Sequence, residues 1–430
     1  MLIDSSQNRS GQGRLFLAAL AALLLLLAGT ILYPDTMTSA GLHVGGLRLS
    51  PLGVLMVLAL PPVSLYIWKN RSSLRFQALD VFLLGGLAFL GIRGAAAATT
   101  SNGVALVFAY CVYALLCYYG FAVIGRNESA VRALLWTLVG LTVIVSAYAM
   151  IEFVFDKNII FDSLISDKVT YRATSLHRTG STLGQPIVLG TIMVQLAPFL
   201  VYFFLRSRNI GSRIRWGVTL LLAVMALWVS YAKASIITAV ILTVAAAWIS
   251  SRKAVAYKKT LVILFGAGLI CVLALGMTFY RNAGYNLLSD ERREESINLR
   301  LRYWGQAPEA IASQPLAGSG LWQGVFQESD WERHAIDNLY LETLVEQGII
   351  GTLLLGGALV LIGRQVWRLI AGGGKYWAVS VTVAASMAAM LITGMASNPL
   401  FVWPNMVVFW IEAGLIRALY EKQRTTIART

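Results

Sequence analysis

Long apolar runs, separated by short polar connections, follow one another along the chain. The first, "RLFLAALAALLLLLAGTILY" from Arg14 to Tyr33, exceeds the ~18 apolar residues that indicate a membrane-spanning helix. It is also too long for the apolar core of a cleavable signal peptide. The complete pattern predicts twelve spanning helices, near residues 15–33, 49–68, 79–93, 102–124, 132–155, 185–205, 216–231, 234–250, 260–280, 339–362, 377–395 and 405–420.

The composition supports this prediction. Hydrophobic residues make up 57% of the chain and charged residues only 13%, whereas about 25% of the residues in a soluble domain are charged. The mean hydropathy is +0.68. The three cysteines lie in apolar runs, where we expect them to pack as small apolar side chains. We therefore predict an all-α, polytopic membrane protein in which residues 1–430 form a single integral membrane domain.

The positive charge is divided unevenly between the two sides of the predicted membrane. With the N-terminus in the cytoplasm, 22 of the 35 Lys and Arg residues fall on cytoplasmic segments and 13 on the outer side. Short cytoplasmic loops rich in Lys and Arg normally determine the orientation of a membrane protein. The net charge of +14 therefore predicts topology, with both termini cytoplasmic, and requires no nucleic-acid partner.

Topology does not explain the basic residues on the outer side. Ten of these 13 fall in two segments, an arginine-bearing loop of roughly 156–184 and a large loop of roughly 281–338 between spans 9 and 10. Binding and catalytic residues concentrate on loops that a rigid scaffold positions. We therefore expect function to lie on these two loops.

Arginines in the first outer loop precede a helix N-terminus. Arg172 and Arg178 lead into "TGSTLGQP", where Pro186 suits the first turn of a helix. Helix N-termini bind anions through free N–H groups and the helix dipole, so the loop predicts an anion site; arginines facing lipid phosphates are the alternative. Lys233, at the tight turn between spans 7 and 8, is a further candidate, or a lysine that snorkels to the membrane interface.

The large loop contains an amphipathic helix in "INLRLRYWGQAPEAIASQPLAGSGLW". Arg300 and Trp304 are four residues apart and share one helical face. Pro315 and Gly318 are expected to end this helix. Arg300 and Arg302 are candidates for binding a substrate phosphate, and an interfacial helix is the alternative.

The stretch "HAIDNLYLETLVEQGIIG" from His334 to Gly351 opens with polar residues and continues into an apolar span. Asp337 or Asn338 can cap this helix, a role that does not require the histidine. A neutral imidazole can take the proton of an attacking hydroxyl group, with an adjacent acid to orient the ring. His334 is therefore a candidate general base, and a structural histidine is the alternative.

Motifs for metal and nucleotide chemistry are missing from the sequence. No His, Cys, Asp or Glu group has ligand spacing, and neither an acidic pair for a nucleotide-bound cation nor a Walker loop is present. A transferase of this sequence would use a donor activated by other means.

Four of these stretches follow one another in a recognisable order: "HRTGSTLGQP", "SYAKAS", "RLRYWGQAPEAIASQPLAGSG" and "HAIDNLYLETLVEQGIIG". Together they resemble the O-antigen ligase and polymerase superfamily of bacterial envelope glycan transferases. The resemblance covers roughly residues 170–355, and the twelve-span layout with a large late outer loop extends it over the chain. It implies an inner-membrane enzyme that acts at the periplasmic face. The implied donor is a glycan on undecaprenyl diphosphate, transferred with inversion and without metal, nucleotide or other cofactor.

The resemblance also implies roles for individual residues. By position, Arg178 matches the arginine before the family's Gly/Pro stretch, and Arg300 matches the arginine four residues before a tryptophan. His334 matches the histidine that opens the late helix, whose glycines correspond to Gly348 and Gly351. Together with the candidates taken from the residues themselves, this gives Arg172, Arg178, Lys233, Arg300 and Arg302 as the predicted diphosphate-binding residues and His334, Asp337 and Asn338 as the predicted catalytic residues.

Two departures from the family pattern affect these assignments. The family often has Ser-Arg where this chain has Ala232 and Lys233, and a lysine lacks the bidentate fork of arginine. The family's asparagine often follows the histidine directly, whereas Asn338 lies four residues after His334. If Asn338 is the matching asparagine, Asp337 stands in the position of the histidine.

The acceptor distinguishes two functions within this class. A ligase transfers the finished glycan to the lipid A core of lipopolysaccharide, and a polymerase transfers it to the next lipid-linked repeat. We favour the ligase, although no motif separates the two. A flippase or transporter of lipid-linked glycans is a third possibility, but it predicts related halves and charges spread through the spans, and neither is visible in the sequence.

Overall fold

The computed structural model describes residues 11–32, 42–44, 47–49, 51–97, 101–155, 179–183, 185–242, 291–320 and 336–427. These residues form twelve α-helices: α1 (Gly11–Leu32), α2 (Pro51–Lys69), α3 (Ala78–Ala97), α4 (Ser101–Ile124), α5 (Glu128–Phe155), α6 (Pro186–Arg206), α7 (Ile210–Val229), α8 (Lys233–Leu242), α9 (Glu291–Ser313), α10 (Leu339–Ala371), α11 (Trp377–Thr393) and α12 (Trp403–Ile427). Short 3-10 turns lie at Arg71–Ser73, Ser181–Leu183 and Pro399–Phe401.

The described helices confirm a polytopic membrane protein. Eight of them, α1 to α7 and α10, are long and apolar enough to cross a membrane, and α8 and α11 are shorter apolar helices. The twelve helices are not the twelve predicted spans, because α9 is the amphipathic helix predicted within the large loop. The predicted span at 260–280 lies outside the described residues, and that at 234–250 is described only to Leu242.

Two local features differ from the prediction, a pair of short strands and the end of α3. Leu42–Val44 and Leu47–Leu49 form a short antiparallel pair of strands ahead of α2, with Leu42 opposite Leu49. Helix α3 continues to Ala97, although Arg93 was expected to close it. The helix can continue past this charge because the guanidinium group binds backbone carbonyl groups of a neighbouring segment.

Side-chain caps set several helix starts. Asn209 accepts a hydrogen bond from the Ser212 amide at the start of α7 (3.2 Å), and Asp80 accepts one from the Gln77 amide at the start of α3 (2.7 Å). Pro186 occupies the first turn of α6, as predicted. The two side chains satisfy amides that have no partner within their own helix, and a proline has no amide hydrogen that would need a partner.

Helix α12 lies at the centre of the described bundle. Val407, Val408 and Phe409 are completely buried, and α12 packs closely on α4. A Cβ atom on Gly414 would come within 2.2 Å of the Tyr118 carbonyl oxygen, so a glycine is required at this crossing.

Glu412 and Arg417, the two charged residues within the predicted span 405–420, have buried partners. Glu412 accepts a hydrogen bond from Ser386 of α11. Arg417, with a side chain only 1% exposed, is paired with Asp80 of α3. Pairing of this kind is what allows ionisable groups to remain inside a membrane protein.

Candidate active site

The polar residues that open α10 fix the start of that helix. The Asn338 side-chain oxygen accepts hydrogen bonds from the amides of Tyr340 and Leu341, both at 3.1 Å. Its side-chain nitrogen donates to the Met395 carbonyl oxygen (3.1 Å). Asn338 is therefore the N-cap of α10, one of the two caps predicted, and it also joins α10 to the residues after α11. We call the end of the bundle at which Asn338 and Leu339 begin α10 the site end.

Arg300 and Asp337 form an ion pair at the site end. The Arg300 Nε and Nη2 atoms both lie 3.0 Å from Asp337 Oδ2. The two side chains are 31% and 35% exposed, so the pair is open to a ligand. The structure thus brings together a predicted phosphate-binding residue and a predicted catalytic residue that are 37 positions apart in sequence.

Backbone geometry places the Asp337 carboxylate. Asp337 has a φ of +51°, in the left-handed region that residues other than glycine rarely adopt. The preceding residue, Ile336, accepts a hydrogen bond at its carbonyl oxygen from the Trp304 indole (2.9 Å). Strained backbone that its surroundings hold in place is frequent at functional sites.

Helix α9 packs on the start of α10 through the face predicted from its sequence. Ala307, Ile336 and Val345 form a small buried cluster, with Trp304 and Ile311 packed against it. The helix ends at Ser313, just before Pro315, as predicted. Arg302 is exposed. Arg300, in contrast, is directed to Asp337 because it shares a face with Trp304.

Helix α10 is interrupted at Gly348. This residue has φ of 62° and ψ of −167°, so two helices meet at a kink. The amides of Ile349 and Ile350 donate to Pro315 (2.9 Å) and Leu316 (3.1 Å), while the carbonyl groups of Val345 and Glu346 accept from Ser319 (3.0 Å) and Gly320 (2.8 Å). Residues 314–320, which we call the bridging segment, thus replace the hydrogen bonds that the helix loses.

Two buried acidic residues lie in the first part of α10, before Gly348. Glu342 is 6% exposed and Glu346 is 5% exposed. Asn398, in the turn between α11 and α12, is a hydrogen-bond partner of the Glu342 side chain. Within the described residues the other Glu342 oxygen, Oε2, is buried and accepts no hydrogen bond. Sequence reasoning did not select Glu342, because an acid in a first helical turn is typical of any helix.

Residues 179–183, which follow the predicted arginine Arg178, are anchored at the turn that precedes Lys233. The Thr179 amide donates to the Val229 carbonyl oxygen (3.2 Å) at the end of α7. Tyr231, with φ of 53°, makes the predicted tight turn, and Lys233 itself is exposed. The end of the first arginine-bearing loop and the lysine turn therefore lie side by side.

The backbone amides after Arg178 hold a carboxylate of the chain itself. The Gly180 and Ser181 amides donate to Glu152 of α5, at 3.4 and 2.7 Å. The sequence predicted that this stretch binds an anion, and in the structure Glu152 occupies these two donors. Arg172, Arg178 and His334 lie outside the described residues.

Metal ligands do not cluster in the described part of the chain, where no group of three or more His, Cys, Asp or Glu residues could hold an ion. The site end is built instead from one ion pair, one capped helix start and one interrupted helix.

Fold and site together define a polytopic helical membrane protein with its candidate chemistry at one end of the bundle. Residues 218–356 match a family model described as O-antigen ligase. The match includes Lys233, Arg300, Arg302, Asp337 and Asn338, and it confirms the resemblance to the O-antigen ligase and polymerase superfamily. It supports an enzyme that transfers glycans, without distinguishing ligation from polymerisation. No curated protein matches the chain.

Proposed function

We propose that the protein transfers a glycan from undecaprenyl diphosphate to an acceptor sugar at the periplasmic face of the bacterial inner membrane, as an O-antigen ligase whose acceptor is the lipid A core. The ion pair between Arg300 and Asp337, inside the segment that matches the family, is the observation that carries this proposal. A polymerase that uses a lipid-linked repeat as acceptor performs the same chemistry on another substrate.

The reaction is a single displacement. The acceptor hydroxyl oxygen attacks the anomeric carbon from the face opposite the diphosphate, and the bond from that carbon to the diphosphate oxygen breaks. The diphosphate leaves with the electron pair, so negative charge develops on it. Fixed guanidinium groups stabilise such charge without reorganising during the reaction. We assign this task to Arg300, with Arg172, Arg178, Lys233 and Arg302 as further ligands.

The acceptor hydroxyl also loses a proton. We assign that proton to His334, three residues before Asp337, with the Asp337 carboxylate as the group that orients the imidazole. Asn338 has a second function as a helix cap, and its catalytic function stays a prediction. No metal is needed for these steps, and we expect full activity in EDTA.

We expect Arg300→Ala and Arg178→Ala each to reduce transfer by about 10- to 150-fold, because a charge-assisted hydrogen bond is worth roughly 1.5–3 kcal/mol. The measurement is transfer by purified variants in liposomes, with lipid A core and a lipid-linked repeat offered as separate acceptors. Arg364→Ala is the matched control, since Arg364 is an exposed arginine far along α10 from the site end. Near-normal transfer by both variants would remove the arginines from the mechanism.

We expect His334→Gln to keep donor binding and to lose turnover by about 10²–10⁴-fold, the usual contribution of a general base. Glutamine retains the size and much of the hydrogen bonding of histidine, so a structural histidine would tolerate this change. Donor binding and single-turnover transfer are measured on the same preparation. If His334→Gln matches the parent while Asp337→Asn does not, Asp337 takes the proton instead.

A further inference from the structure

Arg93, near the end of α3, reaches across to the bridging segment. Its Nε atom donates to the carbonyl oxygens of Ala317 (3.3 Å) and Gly318 (3.0 Å). Its Nη2 atom donates to the Gln314 side-chain oxygen and again to Gly318. The planar guanidinium group can serve several oxygen atoms at once, which a lysine cannot do with the same geometry. Arg93 therefore ties α3 to the residues that directly follow α9.

The bridging segment is held as tightly against α10 as against Arg93. A Cβ atom on Gly318 would lie 2.3 Å from the Glu346 carbonyl carbon, and one on Gly348 would lie 2.5 Å from the Leu316 carbonyl carbon. The two backbones are thus in direct contact, in addition to the four hydrogen bonds between them. The C-terminal end of α9 is consequently fixed at a junction of three elements: α3, α10 and the bridging segment.

Among the described residues, the rest of α9 packs on α10 over a small area. Its apolar contact with α10 is the small cluster around Ala307 and Val345, and its polar contacts include the partly exposed ion pair of Arg300 and the Trp304 hydrogen bond. Exposed ion pairs contribute about 0–1 kcal/mol, too little to fix the helix alone. The orientation of α9 therefore depends on its anchored end.

Arg300 lies far along α9 from this anchored end. Arg300 and Gln314 are fourteen positions apart in sequence, about 21 Å along a helix with a rise of ~1.5 Å per residue. A tilt of about 3° at the anchor then displaces Arg300 by roughly 1 Å, and a misplacement of about 1 Å can reduce catalysis by about 10²-fold. A small tilt of α9 at its anchored end is therefore enough to displace Arg300 by a distance that affects transfer.

We propose that Arg93 is a positioning residue that holds α9, and through it Arg300, against the diphosphate of the donor. This inference rests on the proposed function. Arg93 itself does not bind substrate in this proposal, since its Nε and Nη2 atoms donate to Gln314, Ala317 and Gly318.

A double-mutant experiment tests whether Arg93 acts through Arg300. We expect Arg93→Gln to lower the kcat of transfer about 10-fold or more, and Arg93→Lys to recover part of that loss. In the Arg300→Ala background, Arg93→Gln should have no further effect, because the group that it positions is gone. Losses that multiply in the double variant would overturn the proposal. Ile92→Ala, the exposed neighbour on α3, is the matched control.

A distance measurement tests the same proposal without enzyme activity. Spin labels are placed at two exposed positions, Leu301 on α9 and Trp367 on α10, in a protein whose three cysteines are replaced by alanine. We expect a narrow distance distribution in this parent and in Ile92→Ala, and a broadened or shifted one in Arg93→Gln and, to a smaller extent, in Gln314→Leu.

An unchanged distribution in Arg93→Gln would overturn the positioning role, whatever reaction the protein catalyses. The proposed function could fail separately, if the parent protein transfers no glycan to either acceptor. A broadened distribution in Arg93→Gln would then still show that Arg93 holds α9 in place. The two failures are therefore distinguishable.

Discussion

The side chain of Asn338 makes three hydrogen bonds at the first turn of α10, two as acceptor and one as donor. Loss of such a cap destabilises a protein by about 1–2 kcal/mol. We expect Asn338→Ala to lower the free energy of unfolding by this amount. Asn338→Asp should lower it less, because aspartate keeps the two accepted hydrogen bonds of the cap and loses only the one donated to Met395. Thermal unfolding in detergent measures both. If Asn338→Asp is stable but inactive, the amide takes part in the reaction as well.

Individual residues differ in how far the sequence could predict them. Arg300 was selected because its charge lies on the predicted outer side, and Asp337 because it follows His334; their mutual ion pair was not predicted, since nothing local relates positions 37 apart. Arg93 was interpreted as the end of a span, because most of its partners are backbone carbonyl groups of the bridging segment, which have no sequence signature.

Gly348 and Gly318 are the residues that allow α10 to be interrupted. Alanine at position 348 would carry an unfavourable φ of +62° and would bring its Cβ atom within 2.5 Å of the Leu316 backbone. We expect Gly348→Ala to lower the midpoint of thermal unfolding, because its φ of 62° and ψ of −167° lie in a region essentially limited to glycine and cost other residues about 1–3 kcal/mol. We also expect it to displace the bridging segment and thereby to reduce transfer more than tenfold.

Gly356→Ala is the control for this prediction, because nothing lies within 4 Å of a Cβ atom at that position of the same helix. Alanine should be neutral or slightly stabilising there, by up to about 1 kcal/mol. Equal behaviour of Gly348→Ala and Gly356→Ala would mean that the interruption of α10 has no importance for the site.

At the level of elements, apolar runs predicted the helices well and their interruptions poorly. The apolar run at 339–362 predicted one span, and α10 is one span. It did not predict the interruption at Gly348, because a single glycine in an apolar helix is usually tolerated without a break. What breaks α10 is the bridging segment, whose amides and carbonyl groups offer the helix alternative partners. That competition is tertiary and has no periodicity. The amphipathic pattern of α9 was readable because one face is buried and the other is not.

Across the whole described bundle, hydrogen bonds between neighbouring helix ends show which ends lie on the same side. At the site end, the Leu339 amide donates to the Gly394 carbonyl oxygen (2.8 Å), which joins the start of α10 to the end of α11. The Thr182 hydroxyl group donates to the Ile31 carbonyl oxygen (3.0 Å), which joins the start of α6 to the end of α1. At the opposite end, Gln77 donates to Glu421 (2.8 Å) and Lys375 donates to Glu128 (2.5 Å). This grouping agrees with the alternation of spans that the distribution of Lys and Arg predicts.

We predict the orientation of the molecule from its charge. Because the predicted cytoplasmic segments hold 22 of the 35 Lys and Arg residues, we expect the end that contains Glu128 and Glu421 to face the cytoplasm and the site end to face the periplasm. Reporter fusions after Ser207 and after Val255 should then give cytoplasmic signals, and a fusion near Gln327 a periplasmic signal. A fusion at Gly373, beside Lys375 in the short connection between α10 and α11, is the internal control for the cytoplasmic side. A periplasmic signal after Ser207 would invert the molecule, place Arg300 and Asp337 in the cytoplasm, and remove the basis for a periplasmic transferase.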